Sequence, residues 1–158
     1  MTAIFTFQNL EIFGQLLLAA ILGTLIGTER ELKGRLAGTK THALVCLAAS
    51  LFTILSTVGF RDFALGTQFD PSRVASQVVI GIGFIGAGLI IFQESKLQGL
   101  TTAVGIWTTT AIGMAVGLKL YFVAFFAAFL VLLIYTLLYY FEIFIDRFRD
   151  KTPKPNQF

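Results

Sequence analysis

Charge is scarce in this chain. Of its 158 residues, 13% are charged and 56% are apolar, whereas a soluble domain usually carries about 25% charge. Mean hydropathy is +0.80. Such a sequence cannot coat a water-exposed globule with charge, which excludes an ordinary soluble domain and points to the membrane. Cysteine and histidine are scarcer still, with one of each, Cys46 and His42. A lone Cys excludes an internal disulfide, and the pair cannot build a Cys/His metal cluster. Lys and Arg are absent from the opening "MTAIFTFQNLEIFGQ". The basic start of a secretory signal is therefore missing, and the first apolar run is expected to be a retained helix. The net charge of +3 calls for no nucleic acid partner, because membrane proteins gather Lys and Arg on the cytoplasmic side.

What the chain does have is long uncharged runs. They hold 17 residues between Glu11 and Glu29, 20 between Lys40 and Arg61, and 20 between Arg73 and Glu94. Two further runs of 22 lie between Lys96 and Lys119 and between Lys119 and Glu142. A hydrocarbon core of about 30 Å needs about 20 helical residues. Runs such as "FFAAFLVLLIY" do not alternate as membrane β-strands would. The expectation is an all-α polytopic bundle of five transmembrane helices, at about 12–28, 41–60, 72–93, 99–118 and 120–142. These form one transmembrane domain, 1–145, with a short basic tail at 146–158.

Counting Lys and Arg sets the orientation. Nine fall in the first loop, the third loop and the tail, against three (Arg61, Arg73, Lys119) on the other side. That bias predicts an outside N-terminus and a cytoplasmic C-terminus, with Tyr139 and Tyr140 anchoring at the inner interface.

Within "VVIGIGFIGAGLIIF", Gly81, Gly83 and Gly86 spell G-x-G-x-x-G. A dinucleotide turn would need a preceding strand and an acid about 20 residues on. Here the motif lies inside one apolar span. Gly81 and Gly88 share one helix face, while Gly83 and Gly86 lie broadly opposite. Glycines let helices approach closely in lipid, so the third helix is expected at the bundle centre. Gly23 with Gly27, and Gly113 with Gly117, give G-x-x-x-G in the first and fourth spans. They are read as packing within the chain in preference to a dimer seam. The glycine-free fifth span is expected to face lipid.

Polar residues supply the functional candidates. Asp70 is a good N-cap followed by Pro71, and it shares a face with Gln77 and Gly81, with Arg73 close by. This predicts a polar pocket at the outer end, with Gln77 deeper in. Thr101, Thr102, Gly105, Thr108 and Thr109 line one face of the fourth span. Interhelical bonding and a solute path both fit that face. The first loop is the densest in charge, with Glu29, Arg30, Glu31, Lys33 and Lys40 leading to His42. Glu29 to Lys33 are expected on a continuing helix end broken by Gly34 and Gly38. The loop reads as solvated, or as a docking surface for a partner or anionic lipid heads. Catalysis finds little support, since a triad needs its histidine beside a serine and an acid. The topology separates Glu29 and Glu31 from Asp62 and Asp70, so no carboxylate cluster is expected to hold Mg²⁺. The expectation is no enzyme, no cofactor and no metal site.

Three blocks resemble the MgtC/SapB family of bacterial membrane proteins. They are "GTLIGTERELKGRLAGTKTHALVCLAASLFT", "DPSRVASQVVIGIGFIGAGLII" and "GLTTAVGIWTTTAIGMAVGLKLY". Lys40 departs from the arginine that often precedes Thr-His in that family. The chain also stops at Phe158, where many members continue into a soluble domain, so the resemblance implies a short form. It further implies a multi-pass protein of the bacterial inner membrane, linked to growth at low magnesium. A non-enzymatic modulator of another membrane complex, such as the F-type ATP synthase, is the implied role. A transporter of Mg²⁺ or another ion is the alternative, and a homo-oligomer is left open. Carried over residue by residue, the family's positions fall on Asp70, Arg73, Gln77, Glu29 and Arg30.

Overall fold

The computed structural model describes residues 7–59, 70–93 and 96–149. The expected tail beyond 149 and the loop charges Arg61 and Asp62 lie outside the described residues. The molecule is an all-α polytopic membrane protein. Its helices are α1 (Phe7–Leu32), α2 (Thr39–Ile54), α3 (Ser72–Gly88), α4 (Leu100–Gly117) and α5 (Tyr121–Arg149). Among the described residues, four helices are long and apolar enough to cross a membrane, namely α1, α4, α5 and α2 with its π-helical extension Leu55–Gly59.

The third expected span, 72–93, departs from the sequence reading. α3 has 17 residues and stops at Gly88, not 93. At 1.5 Å per residue it is about 26 Å long, short of a hydrocarbon core of about 30 Å. Its end tightens as Leu89 N–H donates to Gly86 O and Ile90 N–H to Ala87 O. The chain then turns extended. β1 (Ile91–Gln93) pairs antiparallel with β2 (Lys96–Gln98), placing Phe92 opposite Leu97.

The centre is α2, not the third helix. A Cβ on Gly23 of α1 would stand 2.5 Å from His42 O and 2.7 Å from Cys46 Cβ. One on Gly27 would meet Thr39 Cα at 2.6 Å. On the other side, Gly113 of α4 faces the Cys46 carbonyl, and Gly117 lies against Ser50 O and Thr53. Both G-x-x-x-G pairs are thus notches cut for the same helix. Gly81, Gly83 and Gly88 behave otherwise, since a Cβ at any of them would have nothing within 4 Å, and Gly86 alone reaches Ala103. α3 buries only Ile82 and Gly86.

Around the notches, Ala19, Leu22, Ile26, Cys46, Ile112, Val116, Ala124 and Ala128 form the main core. α5 turns Ala124 and Ala128 inward and leaves Phe122, Phe126, Phe129 and Leu137 exposed, the pattern of a lipid-facing helix. Buried Gln15 donates through Nε2 to Val116 O at 2.8 Å and Gly117 O at 3.2 Å. This satisfies carbonyls at the end of α4 that the helix itself cannot pair.

Two turns are closed by left-handed residues. α1 ends where Gly34 (φ 63°) donates to Glu31 O and Arg35 to Arg30 O. α4 ends where Lys119 (φ 64°) donates to Val116 O and Leu120 to Ala115 O. Each is a Schellman pair of bonds. The second places a lysine where glycine is usual. α2 then begins at Gly38, whose own residue offers no side-chain cap. Glu31, from the end of α1, supplies it by accepting the Thr39 amide at 2.8 Å. A carboxylate suits this positive helix end.

Candidate functional site

The last turn of α1 carries Glu29 and Arg30 in helix, while Lys33, expected on the same helix end, lies in the turn just past Leu32. The fold turns these charges against α2, α4 and α5. Arg30 is 3% exposed. Its guanidinium carbon lies 4.1 Å from the centre of the Tyr135 ring of α5, a cation–π arrangement. Its Nη1 is 3.9 Å from Glu29 Oε2, while Glu29 Oε1 is held at 2.8 Å by Lys33 Nζ. The same Nζ donates to Tyr135 O at 3.3 Å and sits 3.8 Å above the Tyr139 ring. Tyr135 and Tyr139 are four apart on α5, so one helix face closes over both Arg30 and Lys33.

His42 opens the inner layer and is fully buried. Its Nδ1 lies 2.8 Å from Thr109 Oγ1, and that hydroxyl donates to Gly105 O at 2.9 Å. A hydroxyl has one proton to give. With that proton on Gly105 O, Thr109 accepts from His42, and the imidazole carries its hydrogen on Nδ1. Nε2 is left as an acceptor without a hydrogen-bond partner. Gly105 makes the geometry possible, because a Cβ there would collide with the Tyr135 hydroxyl. The result is a buried polar layer of Glu29, Arg30, His42, Gly105, Thr109 and Tyr135, drawn from four helices.

The structure does not assemble the other candidates with it. Lys40 is exposed on the first turn of α2. Asp70 is exposed and caps its own helix start, accepting from the Ser72 amide at 2.9 Å and the Ser72 hydroxyl at 2.6 Å. Those bonds, with Arg73 nearby, hold its carboxyl below the usual range. Gln77 and Gly81 line a cavity of about 540 Å³ between α2, α3 and α4, whose walls are otherwise Thr110 and apolar side chains such as Leu44, Val45, Phe52 and Ile82. Neither Asp70 nor Arg73 lines it. The expected polar pocket is therefore an apolar groove with one amide in its wall. Thr108 donates back to Val104 O, and Thr110 to Ile106 O. Thr101 is exposed beside Arg30 and Arg35.

Sequence reading did not single out Tyr135, Lys33 or Gln15 as parts of such contacts. Tyr135 stands in "LLIYTLL", where a hydroxyl inside an apolar run was the available signal.

A helical membrane protein with a buried ionic layer where its first, second, fourth and fifth helices meet is thus defined. The MgtC family model matches residues 16–144, and the chain belongs to the MgtC family. It is 48% identical over 109 residues to the putative magnesium transporter YhiD of Escherichia coli strain K12, covering 68% of this chain and 51% of that protein. It is 42% identical over 103 residues to protein MgtC of Salmonella typhimurium strain LT2, covering 65% and 42%. An uncharacterized protein of Haemophilus influenzae is 42% identical over 121 residues, covering 74% and 51%. The chain spans about half the length of these relatives, or less. No solved structure matches.

Proposed function

We propose that this chain is a non-enzymatic modulator in magnesium acclimation, seated in the bacterial inner membrane and acting on another membrane complex through helix contacts. The observation that carries this reading is the set of exposed glycines on α3. A Cβ added at Gly81, Gly83 or Gly88 would meet nothing within 4 Å, and Phe84 between them is 85% exposed. Each glycine costs about 1 kcal/mol of helix propensity in a soluble helix. The glycines of α1 and α4 recover such a cost through close packing on α2. Among the described residues Gly81, Gly83 and Gly88 find no such return, and a helix of a partner complex supplies it. The F-type ATP synthase is the candidate partner that the family resemblance suggests.

The alternative is an ion path past Asp70 and the threonine face of α4. Against it, Asp70 is occupied with Ser72, and Thr108, Thr109 and Thr110 turn their protons to carbonyls of their own helix. The deciding experiment places a photo-crosslinker at Gly83 in cells grown at low magnesium and pairs it with Mg²⁺ flux in reconstituted vesicles. A crosslinked membrane protein, no flux, and loss of the growth phenotype in Gly83→Leu at normal protein levels are expected. Flux that Asp70→Asn abolishes would replace this reading with the transporter.

A further inference from the structure

A second cavity, of about 430 Å³, lies between the end of α1, the β-hairpin and the start of α4, away from the glycines of α3. Arg30, Arg35, Gln98, Thr101 and Thr102 supply its polar wall. Three independent features converge there.

The first is Arg30. It is 3% exposed, yet its Nε and Nη2 have no hydrogen-bond partner. A buried donor without an acceptor is costly, and more so when it is charged. The acid beside it does not meet the need, since Glu29 approaches only Nη1, at 3.9 Å, and is matched more closely by Lys33. Glu31 is turned to the Thr39 amide. Among the described residues, Arg30 and Lys33 share the single carboxylate of Glu29, which leaves an excess of positive charge beside Arg35.

The second is the start of α4. Its N-cap is Gly99, which has no side chain to cap with. The first-turn amides of an 18-residue helix therefore have no capping side chain at Gly99 and carry the positive end of its dipole. Gly99 is fixed as glycine by its φ of 85° and by the Leu89 carbonyl, which a Cβ would strike. The third feature is the rim, where Arg35 and Thr101 are exposed and add a second guanidinium and a hydroxyl.

We propose that this cavity binds a phosphate group, held by the Arg30 and Arg35 guanidinium groups and the amide end of α4. Guanidinium forks match phosphate oxygens in pairs, and bare helix starts bind the same anions. The phosphate belongs either to a phospholipid head or to a soluble ion. Leu36, Leu97 and Leu100 are exposed around the site and suit the acyl side of a lipid.

The test uses the full chain purified in non-ionic detergent, with its thermal unfolding midpoint as readout. One arm titrates inorganic phosphate against chloride at matched ionic strength. The other transfers the protein to nanodiscs of phosphatidylglycerol or phosphatidylcholine. A saturable rise with phosphate identifies a soluble ion. A rise with phosphatidylglycerol alone identifies a lipid head. In either arm Arg35→Gln should weaken the effect at least 10-fold, and Thr101→Val should weaken it several-fold. Arg30→Gln should abolish it, but the fold can fail with that change, so the two exposed positions decide. No rise with either probe, or an equal rise in wild type and Arg35→Gln, overturns the proposal. The outcome is independent of whether the chain modulates a partner or transports an ion.

Discussion

His42 Nδ1 lies 2.8 Å from the Thr109 hydroxyl oxygen, across the interface between α2 and α4. This contact joins the chain's only histidine to the threonine face that the sequence marks on the fourth helix. Thr109 in turn bonds to Gly105 O, next to the Tyr135 hydroxyl. A perturbation at one member therefore reaches the ionic layer on α1 through two intermediates.

Thr109→Val keeps the shape and removes the acceptor. The buried Nδ1–H is then unpaired, which costs about 1–3 kcal/mol. Thr108→Val, altered at a partly exposed hydroxyl bonded only to its own helix, should cost less than half as much. Chemical unfolding of both variants in detergent, followed side by side, checks the ranking. Equal losses would contradict the assigned bond.

The glycines separate into two kinds. Gly113→Ala drives a methyl into the Cys46 carbonyl, and overpacking of this sort costs about 1–3 kcal/mol. Gly83→Ala meets nothing within 4 Å and gains helix propensity, so stability should hold or rise by up to about 1 kcal/mol. Midpoints of thermal unfolding should move in opposite directions, or one should stay still while the other falls.

Lys119 combines a left-handed backbone with an ion pair, its Nζ lying 2.8 Å from Glu11 Oε2. The hydrogen bond to Glu11 raises its pKa. A raised folded pKa means the pair's contribution is fully present below the ordinary lysine value and is lost as pH rises through the folded one. Lys119→Gly relieves a backbone cost of about 1 kcal/mol and forfeits the exposed pair. The variant should therefore gain on wild type as pH climbs beyond the lysine range, measured as the difference between their unfolding midpoints.

Asp70 runs the other way. Its pKa is lowered by the Ser72 hydroxyl and amide, so its contribution is present above the ordinary carboxylate range and fades as pH falls through the depressed value. Asp70→Asn retains a capping side chain without the charge. The gap between wild type and variant should shrink at acid pH, and a gap that widened would reverse the assignment.

Much of the architecture is legible in the spacing of charges. Uncharged runs bounded by Glu11, Glu29, Lys40, Lys96 and Lys119 mark the long helices because lipid admits little else. α3 misleads for the same reason. "GLIIF" is apolar enough to continue a span, but hydropathy does not separate a helix from the extended chain of Ile91–Gln93. The glycine spacing shows that α1 and α4 are closely approached. It does not name the approaching helix, since α2 has no glycine of its own between Thr39 and Ile54 to advertise its position. The candidate site was legible by half. Glu29, Arg30 and His42 stand out as charges near a helix end, whereas their burial depends on Tyr135 and Gly105, more than 60 positions downstream. Asp70 has the look of a pocket acid because helical phase aligns it with Gln77. The local bond to Ser72 wins, being available before any tertiary contact forms.

Because α2 is gripped on two sides by notches cut to its backbone, its phase is fixed twice over. Inserting one residue between His42 and Cys46 would rotate everything beyond it by about 100°. Cys46 would leave both Gly23 and Gly113 in the same move. The same insertion in α5 beyond Tyr139 would leave Ala124, Ala128 and Tyr135 in place and move exposed side chains such as Phe141 and Ile145. Length drift should therefore be tolerated toward the end of the chain and rejected in its second helix.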